Sequence, residues 1–251
     1  MVDMHTHVLP SLDDGAKNLE ESLGMLRALA SQGVSDVVLT PHFYCEKMTV
    51  SKFLSKRAAS YRLLLGSMHG INIRLRLGAE VHISDFRVGD YSEFLPLKIE
   101  DTRHILIELP FDGSWNEQVY KNLTQIIEDT RLIPIIAHAE KYPAVASKPQ
   151  IADKLLEMGC LLQLNCNSLK NSKKKFAAQL VKRGKIQCLG SDTHNLEGRY
   201  PRYGEGFSNL KEIIGEKNAE GLQENMRTVL AGGTVRTEKT PPVRKLFGIY
   251  Y

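Results

Sequence analysis

Val2-Asp3-Met4-His5-Thr6-His7 opens the chain, and its ending sets the reading of everything after it. Successive strand residues point to opposite faces, so His5 and His7, two apart, share one face. Working outward, short apolar runs recur at 36–41, 74–80, 104–109, 133–138, 161–165 and 187–191. Amphipathic segments separate them at 19–32, 50–68, 116–130, 149–158 and 172–183, with a longer, broken helical region over about 207–230. Asn18 with Glu21 predicts a capping box, Pro149 a first-turn position, and Gly33, Gly159 and Gly184 helix stops. Strands alternating with helices require crossover connections and therefore a parallel sheet. Seven such units predict a closed α/β barrel, with an open doubly wound sheet as the rival. The 251 residues, with no Pro/Ser-rich linker, read as one domain over 1–251, its end at 234–251 an extended surface tail.

The same runs end in one kind of residue. His5 and His7 close the first and His42 the second; Glu80 and Glu108 close the third and fourth, and His138 the fifth. The seventh runs into Asp192 and His194, and Asp14 follows the first strand in Leu12-Asp13-Asp14-Gly15. Only the sixth differs, carrying Gln163 and Asn165. Taken singly, each acid or imidazole could be a cap or a turn residue. Taken together they converge, because the C-terminal ends of barrel strands form one face. Nine candidates exceed the needs of one four-coordinate zinc and fit two or three ions with bridging carboxylates. Imidazole and carboxylate without thiolate favours Mn, Fe or Zn.

Clustered divalent ions suit phosphate-ester hydrolysis: one generates hydroxide near neutral pH while its neighbour clamps ester oxygens. Lys141, three residues after His138, and Arg199, five after His194, fall in loops at the same rim, where cations grip phosphoryl oxygens. Thiol chemistry is excluded on spacing. None of Cys45, Cys160, Cys166 and Cys188 has Arg six positions on, and none forms a C-x-x-C pair. A net charge of +4 is too small to argue for nucleic acid. With mean hydropathy −0.25 and no apolar run of membrane-spanning length, no transmembrane span is expected. The first residues lack a signal-peptide pattern, so the expected compartment is the cytoplasm, with free thiols.

The ordered set of motifs resembles a known family. Asp3-Met4-His5-Thr6-His7, Leu12-Asp13-Asp14-Gly15, Thr40-Pro41-His42, Gly78-Ala79-Glu80, Ile107-Glu108, Ala137-His138-Ala139-Glu140, Ser191-Asp192-Thr193-His194-Asn195 and Gly198-Arg199 resemble, over about 1–230, the polymerase and histidinol phosphatase (PHP) superfamily. Within it the likeness is to the bacterial manganese-dependent protein-tyrosine phosphatases of the CpsB/CapC/YwqE type. That resemblance implies a distorted (β/α)7 barrel with a trinuclear site, Mn2+ as metal, and the nine residues above as ligands, with Glu80 bridging. It implies catalytic roles for Asp192 and Arg199, and for Lys141 at a position where the family usually has Arg. Lys keeps the charge but lacks the planar fork. The implied partner is the phosphotyrosine tail of a tyrosine kinase controlling capsular or exopolysaccharide synthesis, a partner that can itself be membrane-associated. The alternatives are a small-molecule phosphatase of the histidinol-phosphate kind, a metal-dependent nuclease or phosphodiesterase, and a non-catalytic metal-binding regulator.

Three further features carry expectations. The basic run Lys170-Asn171-Ser172-Lys173-Lys174-Lys175, with Lys182, Arg183 and Lys185 nearby, reads as a solvated helix start or an attractor of acidic tails. Trp115 and Tyr91 are candidates for the active-site mouth, with packing roles as the plainer reading. Phe247-Gly248-Ile249-Tyr250-Tyr251 reads as an apolar tail docked on the barrel.

Overall fold

The computed structural model describes residues 1–84, 89–112, 115–170 and 174–251. Its strands and helices follow in chain order: β1 (Val2–Thr6), α1 (Leu19–Ser31), β2 (Asp36–Leu39), β3 (His42–Tyr44), α2 (Val50–Leu65), β4 (Arg74–Leu77), β5 (Glu80–His82) and β6 (His104–Glu108). Then come α3 (Glu117–Thr130), β7 (Ile133–Ile136), α4 (Pro143–Ser147), α5 (Gln150–Glu157), β8 (Leu161–Asn165), α6 (Lys174–Lys182), β9 (Cys188–Gly190), α7 (Tyr203–Ile214), α8 (Glu216–Leu230), β10 (Lys245–Leu246) and β11 (Ile249–Tyr250).

Pairing joins β1 to β2 to β4, and β3 to β5, β6, β7, β8 and β9, all parallel. The two sheets are one. β2 and β3 are a single stave broken at Thr40-Pro41, and β4 and β5 one broken at Gly78-Ala79. Bonds from Gly78 N to Leu39 O (2.9 Å) and from Glu80 N to Pro41 O (3.0 Å) carry the ladder across both breaks. Pro41 has no N–H, and the Thr40 hydroxyl takes up the slack, accepting from Thr6 N at 3.0 Å and donating to Thr6 O at 3.1 Å. The seam closes where Asp192 N donates to His5 O (2.8 Å), His7 N donates to Thr193 O (3.0 Å), and Thr6 pairs with Thr193. The expected distorted (β/α)7 barrel is therefore found, and the open sheet is excluded.

Close approach at the seam needs glycine. A Cβ on Gly190 would lie 2.5 Å from His5 Cβ and 2.9 Å from Gln163 Nε2. The interior is apolar, with Val37, Val38, Leu106, Ile135, Leu162 and Leu189 inaccessible. Outside, α2 buries Phe53 against Phe43, which also meets Phe94 edge-on (5.1 and 5.8 Å between ring centres).

The helix expectations hold to within a few residues, with instructive differences. Asn18 caps α1 by accepting from Glu21 N (3.0 Å), but Glu21 reaches back to Lys17 N (2.8 Å), so the box is offset by one residue. Pro149 sits at the N-cap of α5, one position early. The long helical region starts at Tyr203 and breaks at Gly215, whose φ of +81° no helix accommodates. Between β5 and β6 a 3₁₀ helix, Ser92–Leu97, replaces the usual α-helix. Among the described residues, no helix is long and apolar enough to cross a membrane.

The C-terminal segment is anchored rather than loose. Buried Lys185 donates to Thr240 O (2.9 Å) and Thr240 Oγ1 (2.7 Å) and pairs with Asp153. It holds the tail and does not attract a partner. Beyond it β10 and β11 form a hairpin, its two-residue turn made by Phe247 (φ +47°) and Gly248 (φ +78°). Tyr250 docks on Phe176 (4.7 Å between ring centres), whereas Phe247 is 94% exposed, so only part of the tail packs as expected.

Candidate metal centre

All nine predicted ligands meet at the C-terminal face of the barrel. At the centre is Glu80, fully buried at the start of β5. Its Oε2 lies 3.1 Å from His5 Nε2, 3.2 Å from His7 Nε2 and 3.1 Å from His42 Nδ1, yet has a hydrogen-bonding geometry with none of them. Its Oε1 lies 2.9 Å from His138 Nε2. Glu108, ending β6, faces His138 (3.5 Å) and His42 (3.9 Å). Asp14 faces His42 and His194, both at 3.5 Å. Asp192 Oδ1 is 3.6 Å from each of His5, His7 and His194.

Loop chemistry fixes these positions. His138 (φ +33°) and Asp192 (φ +53°) both take the left-handed conformation two residues past the end of a strand. That costs non-glycine residues of order 1–3 kcal/mol and clusters at functional sites. The turn carrying Asp13 and Asp14 folds tightly on β1, since a Cβ on Gly15 would lie 2.1 Å from His7 O.

The orientation of the imidazoles shows what the pocket lacks. His7 Nδ1 donates to Asp13 Oδ2 (2.7 Å) and His5 Nδ1 to Gln163 Oε1 (3.1 Å). Gln163 Oε1 also accepts from His138 N (2.8 Å), which fixes it as the oxygen. With both Nδ1 atoms donating outward, the two Nε2 lone pairs face each other at 3.1 Å and both face Glu80. Lone pairs and carboxylate oxygens without a donor among them call for a cation. The carboxylates draw positive charge to this site, either a cation or, in its place, a proton on His7. Burial opposes charge on His7, but Asp13 and then Glu80 outweigh it and lift the pKa to about 10. Glu80 is held well below the usual carboxylate range by His5, His138 and His7, against its burial. Among the described residues, three groupings of side chains have donor atoms close enough to share one ion: His7, Asp14, His42 and His194; His5, His7 and Glu80; and His42, Glu80 and Glu108. His42, Glu80 and His7 each occur in two of them.

Lys141 and Arg199 stand at the rim. Lys141 Nζ donates to Asp192 Oδ2 (2.7 Å) and Arg199 Nη2 to Asp192 Oδ1 (2.7 Å), with Asn165 Nδ2 also on Oδ2 (2.7 Å). The sixth predicted strand thus contributes after all: Gln163 orients two histidines and Asn165 holds Asp192.

Sequence reasoning overlooked Asp13, masked by the neighbouring acid in the same turn, and Phe111, a single apolar residue in a loop. Phe111 is 45% exposed and stacks 5.3 Å from His138 and 4.9 Å from Tyr142. It occupies the mouth position expected of Tyr91 or Trp115. Tyr91 is instead buried against Phe94. Trp115 backs the loop from behind, donating Nε1 to Pro110 O (2.8 Å) and packing on Tyr142 (5.0 Å). The cysteines are remote from such chemistry, burial raising the thiols of Cys160 and Cys188 to about 12. In the basic run Lys170 pairs with Glu205. Asn171, Ser172 and Lys173 lie outside the described residues.

Fold and cluster together define the class: an α/β barrel carrying a pocket of imidazole and carboxylate groups suited to binding metal. The chain belongs to the CpsB/CapC family of capsular polysaccharide synthesis, whose profile matches residues 1–231. It is 30% identical over 259 residues to the tyrosine-protein phosphatase YwqE of Bacillus subtilis, covering all of both chains. It is 27% identical to the tyrosine-protein phosphatase CpsB of Streptococcus agalactiae, over 92% of this chain and 98% of that one. Among solved structures, a chain from the crystal structures of YwqE from Bacillus subtilis and CpsB from Streptococcus pneumoniae, described as unique metal-dependent tyrosine phosphatases, superposes with a TM-score of 0.82. That match has 28% identity and covers 98% of this chain and 100% of the other.

Proposed function

We propose that this protein is a metal-dependent protein-tyrosine phosphatase whose substrate is the tyrosine-phosphorylated tail of a kinase regulating capsular or exopolysaccharide synthesis. The observation that carries the chemistry is the pocket around Glu80 Oε2, which three imidazole nitrogens approach within 3.2 Å without a hydrogen bond. In this reading His5, His7, Asp14, His42, Glu80, Glu108, His138, Asp192 and His194 hold two or three divalent ions, Mn2+ foremost, with Fe and Zn compatible with the same donors. Such ions supply a nucleophile at neutral pH and stabilise charge on the transferring phosphoryl group.

The chain's own residues do the rest. Lys141 and Arg199, already aimed at Asp192, bind the phosphoryl oxygens and place the ester against the cluster. Glu80, approached by His5, His7, His42 and His138, would be the acid common to the ions' ligands. Asp192 shares its two oxygens between the cluster and the two cations. Phe111 supplies an apolar ring at the mouth for an aryl leaving group, a contact that no serine or threonine ester can use. A phenolate of pKa about 10 leaves with little protonation, so the demand for a general acid is small. No thiol takes part.

The test compares phosphate release from phosphotyrosine peptide, phosphoserine peptide, histidinol phosphate and a phosphodiester, with Mn2+ and with chelator. Release from phosphotyrosine, abolished by chelator and indifferent to thiol alkylation, is the expected result. A preference for histidinol phosphate or the diester overturns the substrate assignment, and alkylation sensitivity overturns the chemistry.

A further inference from the structure

On the Lys141 side of the cluster lies a groove of about 760 Å³. One wall is α6, presenting Phe176 and Lys182; the other is the hairpin, presenting Ile249 and Tyr250; Lys141 closes the end nearest the cluster. The groove is preformed. Tyr250 stacks on Phe176, and Tyr250 Oη (2.9 Å) and Lys245 Nζ (3.0 Å) both donate to Ala146 O in α4. Two properties of its lining point to an occupant. Its exposed charge is positive, from Lys175 and Lys182, with half-buried Lys141, paired to Asp192, at one end; the one acid in the lining, Glu140, is buried and hydrogen-bonded to Ser168. Lys175 and Lys182 are exposed and have no carboxylate partner among the described residues. Ile249, exposed on the hairpin, adds an apolar wall.

We infer that this groove docks the polypeptide flanking the phosphotyrosine, and that it selects an acidic flank. The inference rests on the phosphatase reading for what occupies the cluster, and on continuity for what occupies the groove. Lys141 belongs to both, so a chain whose phosphoryl group reaches the cluster runs directly into the groove. An acidic segment there meets unpaired ammonium groups over an apolar floor, whereas a neutral flank gains only the floor. Electrostatic attraction of this kind affects encounter and affinity, so its signature is in KM.

The experiment uses the intact Mn2+-loaded protein and three substrates: p-nitrophenyl phosphate, a phosphotyrosine peptide with Asp/Glu flanks, and the same peptide with Ser/Asn flanks. The wild type is expected to have the lower KM for the acidic peptide, with the advantage shrinking as salt rises. Lys175→Glu with Lys182→Glu is expected to raise that KM roughly five- to tenfold, two reversed surface charges acting together, without changing kcat or turnover of p-nitrophenyl phosphate. Lys175→Ala with Lys182→Ala gives a smaller shift in the same direction. Equal KM for both peptides in the wild type, or an equal effect of the variants on both, overturns the groove. Anisotropy of a labelled, non-hydrolysable acidic peptide separates the two readings. Lysine-dependent binding without any hydrolysis sustains the groove and defeats the phosphatase assignment; hydrolysis with lysine-independent binding does the reverse.

Discussion

Asp13 does for His7 what Gln163 does for His5: each fixes one ring nitrogen as a donor and turns the other lone pair to the centre. Such supporting groups typically contribute 10–100-fold to metal affinity. Asp13→Asn is therefore expected to weaken Mn2+ binding by roughly that factor in a direct metal titration, with the fold intact by circular dichroism. An unchanged affinity would mean that Asp13 merely shapes the turn. At the mouth, Phe111→Ala is expected to raise KM for phosphotyrosine peptide by about three- to tenfold, the range of an aromatic pair, and to leave phosphoserine turnover unchanged. An equal loss on both esters would instead make Phe111 a prop for His138. The convergence of the nine candidate positions was legible because histidine, aspartate or glutamate stands at the end of one apolar run after another. Asp13 and Phe111 were not, since their roles depend on how a turn and a loop fold over the barrel, which no periodicity reports.

Among the elements, the seven staves were readable from alternation alone, but their interruptions were not. Thr40-Pro41 and Gly78-Ala79 look like strand ends, and β3 and β5 resume just beyond them. The break moves His42 and Glu80 onto strand segments that pair in register with each other. The C-terminal hairpin was read as an extended tail because two-residue strands carry too little pattern to detect. The glycine in β9 was legible only as part of a short strand, although its lack of a side chain lets the seam close. Gly190→Ala forces a methyl against His5 and Gln163. Overpacking of this sort costs about 1–3 kcal/mol, so a lowered melting temperature together with weaker Mn2+ binding is expected. Loss of one without the other would separate the seam from the metal centre.

For the molecule as a whole, one pH dependence lies away from the cluster. His104 begins β6, fully buried, with neither ring nitrogen hydrogen-bonded. Burial, and then Arg103, lowers its pKa to about 4. The unfolded chain takes up this proton near pH 6.5 and the folded one only near 4. Its contribution to stability is therefore complete above pH 6.5 and is lost as pH falls from 6.5 towards 4, by on the order of 3 kcal/mol. Urea midpoints in chelator from pH 7 to 4.5 should fall more steeply for the wild type than for His104→Leu, and parallel slopes would remove His104 as the cause.

The barrel seam has a kinetic consequence. Val2 N binds Gln223 Oε1 (2.8 Å), and Asp192 N binds His5 O (2.8 Å), so the first stave is completed by residues near the far end of the chain. Contacts so distant in sequence form late, after much chain entropy has been surrendered. A ribosome-bound nascent chain therefore holds His5 and His7 long before Asp192 and His194 exist to join them, and in refolding the uptake of Mn2+ should track the slowest phase rather than the collapse.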